Sequence, residues 1–175
     1  MRAALPVLLL SAALLAGCAS PARIDNMVVA APQTAPARPS TYTGALAMGP
    51  VTGGTETLPF WTSEIGDNEF AGALRESLRA AGLLASDPAT ARYRLDTQIL
   101  NVEQPIIGFD MRVNTLVSYR LLDPATGATV WSDTISASYT ADFSSSLIAT
   151  LRARLANEGA ARENIRKLIE RLQSA

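Results

Sequence analysis

Apolar positions recur with two different periods along this chain, and the switches between them mark out its elements. Tyr42 to Val51 reads as a first strand, weakened by Gly44 and Gly49 and stopped by Pro50. Phe70, Leu74, Leu78 and Ala81 then fall at helical spacing opposite Arg75, Glu76 and Arg79, which predicts a helix from about Asp67 to Ala81. Gly66 or Asp67 is placed to cap its start, and Gly82 stands where a helix-ending glycine belongs. Beyond it the period drops to two. Tyr93, Leu95, Thr97 and Ile99 alternate with Arg94, Asp96 and Gln98. Phe109, Met111, Val113, Thr115, Val117, Tyr119 and Leu121 form a longer face opposite Asp110, Arg112, Asn114, Ser118 and Arg120. The turn Asp123-Pro124-Ala125-Thr126-Gly127 returns the chain as a hairpin strand near Val130 to Tyr139. A final helix runs from about Leu151, or from as early as Ser146, to Leu172. The order β-α-β-β-β-α predicts an α+β fold: a two-layer sandwich with a mostly antiparallel four-stranded sheet and two helices on one face. Half-polar strands leave the other face to solvent.

The last helix breaks its own pattern. Leu151, Leu155, Ile165, Ile169 and Leu172 line one stripe, yet Glu158 and Arg162 fall within it and Arg154 at its edge. Glu158 is four residues from each arginine, so an Arg–Glu–Arg ladder is geometrically ready. Charges facing a core must be paired. The expected partners are one another, or Asp96 or Asp110 over the sheet's end; a solvated overhang and recognition of a partner are the alternatives.

At the other end, Arg2 precedes an apolar run of 14 residues from Ala3 to Ala16. That is short of the ~20 needed to cross a bilayer and has the layout of a secretory signal. Leu15-Ala16-Gly17-Cys18 follows and resembles the bacterial lipobox, which implies cleavage between Gly17 and Cys18 and a diacylglycerol on the Cys18 thiol. Ala19 in place of an aspartate implies, by the same resemblance, the outer membrane facing the periplasm. The alternative is an ordinary secretory signal followed by a free cysteine. Residues 18–40 carry Pro21, Pro32, Pro36 and Pro39, with Met27-Val28-Val29 their only apolar cluster. This predicts an extended, disordered tether with a reach of roughly 70 Å. The chain thus divides into a signal peptide (1–17), a lipidated cysteine with its tether (18–40) and one α+β domain (41–175).

Composition narrows the chemistry. The 175 residues contain no histidine and a single cysteine. Ser-His-Asp and Cys-His nucleophiles, the usual zinc sites and an internal disulfide therefore cannot be built. No catalytic residue, metal ligand or cofactor is expected. The mature chain would carry 14 basic against 16 acidic residues, without the basic excess that nucleic-acid binding needs. Gly53-Gly54-Thr55-Glu56 lacks the lysine of a phosphate loop and reads as a plain loop. A Ser–Lys dyad between Ser144–Ser146 and Lys167 has no supporting elbow or oxyanion motif.

Ile106, Ile107 and Phe109 sit at a hairpin tip, where residues are normally polar. They form either a tucked-under lid or an exposed contact patch. Leu100, Val102, Leu116 and Leu122 fall on the polar sheet face, either extending that patch or turned inward by strand bulges.

The segments Val51–Thr57, Trp61-Thr62-Ser63, Phe70–Leu74 and Arg154–Ile165 together resemble a family of small proteobacterial envelope lipoproteins. More distantly, a lipobox plus a two-layer domain is similar in architecture to the lipopolysaccharide-assembly lipoprotein LptE, to YajG and to the TolB N-terminal domain. The resemblance implies a lipoprotein of the periplasmic face and carries over no catalytic residue. The expectation is a membrane-anchored, non-catalytic binding or assembly-accessory module with an envelope protein as partner. A transport accessory holding a lipid or glycolipid at the hairpin tip is the alternative, and an acyltransferase-like enzyme is the disfavoured one.

Overall fold

The computed structural model describes residues 19–30, 40–58, 63–105 and 110–175. Its elements are α1 (Ile24–Met27), β1 (Leu46–Thr52), α2 (Asp67–Ala80), β2 (Tyr93–Glu103), β3 (Met111–Leu122), β4 (Thr129–Ala141) and α3 (Ala149–Gln173). The strands lie in the order β1-β2-β3-β4. β1 runs parallel to β2 through the α2 crossover, while β2, β3 and β4 pair antiparallel. The α+β sandwich is therefore the observed fold, with α1 as a third helix outside the expected order.

Local chemistry sets the boundaries. α2 ends in a Schellman motif: Leu83 N–H donates to the Leu78 carbonyl and Gly82 N–H to that of Arg79, with Gly82 at φ +69°. The β3–β4 turn closes through Asp123, whose carboxylate accepts from Ala125 N–H and whose carbonyl accepts from Gly127 N–H. β1 continues through Pro50 because it is an edge strand whose register shifts between Met48 and Val51.

The core lies between one sheet face and the two long helices. Phe70, Leu74 and Leu78 of α2 and Ile165, Leu168 and Leu172 of α3 meet Leu95, Val117, Tyr119 and Leu121 of the strands. Towards the start of α3 a second cluster is built on small residues, with Ala156 and Ala160 against Met111, Val113 and Ala141. A bulge between Ile99 and Asn101 settles the apolar residues of the polar face. It turns Val102 inward against both clusters and leaves Leu100 exposed, while Leu116 and Leu122 are half-buried.

The structure departs from the expected free tether. Residues 20–29 pack on the domain, with Met27 fully buried in the main core and Ala22 nearly so. Ile24 and Met27 are one helical turn apart, and that turn is what α1 forms.

Candidate functional site

Six consecutive residues of α3, Ala156 to Ala161, are all buried. A helix lying on a sheet buries one stripe, so burial right round requires cover from a second side. That cover is the chain's own segment Ser20–Val29, a strap laid along α3. Arg154 Nη1 donates to Ser20 Oγ at 2.6 Å. Glu158 accepts from Arg23 N–H at 2.9 Å through Oε1 and from Asn26 Nδ2 at 2.7 Å through Oε2. Arg162 Nη1 donates to the Asn26 carbonyl at 2.8 Å. Further on, Val29 N–H donates to Ser77 Oγ of α2 at 2.9 Å, and the Ser77 hydroxyl donates to Ala73 O. Ile24 lies over Gly72, where a Cβ would meet its Cδ1 at 2.7 Å.

The register of these contacts fixes a direction. Positions 20, 23 and 26 meet positions 154, 158 and 162, so the strap runs parallel to α3 and its upstream end points to the start of that helix. The electrostatics explain the burial of a carboxylate that is only 1 % exposed. Glu158 holds two donors that no water could replace without opening the strap, and Arg154 Nε stands 3.4 Å away. That Nε is within ion-pair distance but makes no aligned hydrogen bond, so attraction of charge is its contribution. Arg162 also lies 5.8 Å over the Tyr139 ring, closing the cluster from the sheet side.

The opposite side of α3 is keyed to the sheet. Asn164 accepts from the Tyr119 hydroxyl at 2.9 Å and donates to the Ile135 carbonyl at 2.9 Å and to Thr115 Oγ1 at 3.2 Å. Burial pushes the Tyr119 phenol far above its usual range. Gly159 faces Tyr139, and a Cβ there would overlap the ring. Near the strap's start, burial raises the Glu64 carboxyl, opposed by its hydrogen bond from Gln104.

The expected site residues divide cleanly. Only half of the Arg–Glu–Arg ladder forms: Glu158 lies at ion-pair distance from Arg154, while Arg162 bonds the Asn26 carbonyl of the strap instead. The anticipated carboxylates are engaged elsewhere: Asp96 pairs with Arg94 at 2.8 Å, and Asp110 accepts from Phe143 N–H at 3.0 Å. Sequence reasoning missed Ser20, Arg23, Asn26 and Ser77. Its available signal was the Ile24–Met27 spacing inside a stretch otherwise full of proline. Gly17, Cys18, Ile106, Ile107 and Phe109 lie outside the described residues. The glycine loop is occupied by its own chain, since Gly54 N–H donates to Asp67 Oδ1 at 2.6 Å at the start of α2. Lys167 donates to the Ser136 carbonyl at 2.8 Å and stands about 27 Å along the helix from its first residue, Ala149, with Ser144–Ser146 beyond that start. The Ser–Lys dyad is therefore not assembled. Among the described residues there is no cluster of three or more His, Cys, Asp or Glu placed to hold a metal. None of the described helices is long and apolar enough to cross a membrane.

Solved structures share this fold. A Xanthomonas campestris protein of the DUF330 family superposes with a TM-score of 0.61 at 15 % identity, over 84 % of this chain and 91 % of its own. PelC from Paraburkholderia phytofirmans, a dodecamer, gives 0.52 at 22 % identity over 78 % and 93 %. A minor lipoprotein of Acinetobacter baumannii gives 0.51 at 12 % identity over 78 % and 94 %. At these identities the likeness defines a class by fold alone: the open four-stranded sheet backed by two helices. Residues 60–174 match the model of the LptE lipopolysaccharide-assembly family, and the chain belongs to that family. It is thus an envelope lipoprotein-family member of LptE-like architecture. No curated protein matches the sequence.

Proposed function

We propose that this protein is a lipid-anchored periplasmic lipoprotein of the outer membrane that serves lipopolysaccharide assembly as a non-catalytic accessory, binding an envelope protein partner. The observation that carries this reading is the strap. Polar and charged side chains at the start of α3 are spent on fixing the mature chain's own N-terminus, two residues from Cys18, rather than on substrate chemistry. Such a device contributes position. With Ser20 pinned, the distance from Cys18 to the domain falls from the tens of ångströms of a free tether to about 7 Å, two extended residues.

The reading is tested by crosslinking the full-length protein in the envelope and purifying it. Recovery of one specific partner complex, lost on Cys18→Ser, supports it. A monomer under every crosslinking condition refutes it. The transport reading, with a lipid or glycolipid at Ile106, Ile107 and Phe109, falls on residues outside those described.

A further inference from the structure

Three large apolar side chains stand exposed within six residues of one another, just before α3. Phe143 is 42 % exposed, Leu147 80 % and Ile148 47 %. Other exposed apolar residues, such as Leu58, Leu100 and Val130, stand singly along the chain, as surface apolar residues usually do. A clustered exposure is informative because contiguous exposed apolar patches mark contact surfaces, whereas single exposed apolar residues do not.

This turn is built rather than loose. Arg152, itself 4 % exposed, donates through Nη1 to the Ser146 carbonyl at 2.6 Å and lays its guanidinium 5.0 Å over the Phe143 ring. Ser145 N–H donates to the Asp142 carbonyl at 2.9 Å, and Ile148 N–H to Ser146 Oγ at 3.1 Å. Phe143 N–H reaches back to Asp110 Oδ1, tying the turn to the head of β3. Ordering is thus already complete before any partner arrives.

The strap says what that partner is. It runs parallel to α3, so its upstream end lies at the helix start, with Ser20 held by Arg154. Arg154 is six residues beyond Ile148, or about 9 Å along the axis. Cys18, two residues upstream of Ser20, is confined to within about 7 Å of it. Ser20 and the apolar turn therefore lie at the same end of α3, and chain connectivity keeps Cys18 within two residues of that end.

We propose that the Phe143–Ile148 turn is a bilayer-contacting surface, seated in the interfacial region of the membrane that holds the acyl chains of Cys18; this rests on the reading of Cys18 as the lipid anchor. The anchor supplies the affinity, and the turn sets orientation, since a contact tethered at such short range needs little intrinsic affinity to be occupied. Exposed Asp110 and Asp142 offset Arg112 and the buried Arg152 at this end, so apolar insertion rather than attraction to anionic headgroups makes the contact. The polar sheet face and the β3–β4 turn are consequently directed away from, or across, the membrane surface.

The test uses the full-length protein processed in Gram-negative cells. Benzoylphenylalanine replaces Leu147 in one sample and Thr126, in the distant β3–β4 turn, in another; both positions are exposed, so neither disturbs packing. After irradiation, mass spectrometry reads phospholipid adducts on the intact chain and the acylation state of Cys18. The expected result is an acylated Cys18 with lipid adducts at position 147 several-fold above those at 126. Acylated Cys18 with equal adducts at both positions, with none, or with protein adducts alone at 147 overturns the inference and leaves the lipoprotein reading standing. An unacylated Cys18 overturns both.

Discussion

Replacing Glu158 by alanine should release the N-terminal strap without unfolding the domain. The carboxylate is 1 % exposed and accepts two hydrogen bonds, from Arg23 N–H at 2.9 Å and Asn26 Nδ2 at 2.7 Å. Bonds to a charged group contribute ~1.5–3 kcal/mol each, so the pair is worth about 3 kcal/mol at the low end. Burial of the Met27 side chain, worth ~1.5–3 kcal/mol, and the Arg162 and Ser77 contacts still hold part of the strap. Opening of the segment should accordingly become more frequent by roughly 100-fold. The assay is hydrogen exchange of the full-length protein, followed at the Arg23 and Val29 amides, with tryptic cleavage after Arg23 as a second readout. Amides of β2 and β3 serve as the internal control. Unchanged protection at Arg23 and Val29, or a collapse of the whole domain with the strap still protected, would refute the assignment of Glu158 to the strap.

Two further outcomes test the other side of α3. Tyr119→Phe leaves the Asn164 carbonyl oxygen without its donor and should cost ~1–3 kcal/mol in urea unfolding. Because burial raises the folded phenol's pKa above the unfolded value of about 10, its contribution is complete below that pH and falls away above it. The gap between wild type and Tyr119→Phe should narrow as the pH rises past about 10; a constant gap contradicts the assignment. Gly159→Ala would favour an isolated helix by ~1 kcal/mol, yet here the new methyl group overlaps the Tyr139 ring. It should destabilise by ~1–3 kcal/mol, and Tyr139→Ser in the same chain should recover most of the loss. A stabilising single substitution would show that the ring moves aside freely.

The elements were legible in the sequence because each carries its period locally. The β3 alternation and the α2 face are properties of consecutive residues, and the Gly82 and Asp123 signals act through their own neighbours. From them the α+β sandwich with its mostly antiparallel sheet follows, whereas the strand order β1-β2-β3-β4 and the parallel β1–β2 pairing are decided by the tertiary structure. The core stripe of α3 was read less well. Ala156 and Ala160 carry the sheet contact there, and small residues weigh little in a hydrophobic pattern although they bury completely. Leu151 and Leu155, which dominate the pattern, are only half-buried.

The sequence by itself also determined that Arg154, Glu158 and Arg162 share one stripe, since four-residue spacing on a helix is fixed by its pitch. Only the tertiary structure decided what that stripe faces. Glu158 meets Arg23 and Asn26 across more than 130 positions of chain, and nothing local encodes such a pairing. Composition pointed the other way, because a proline-rich segment lacks the apolar area to fold alone. Residues 20–29 order here because α2 and α3, once packed on the sheet, leave between them a place for Met27 and a buried carboxylate for its neighbours.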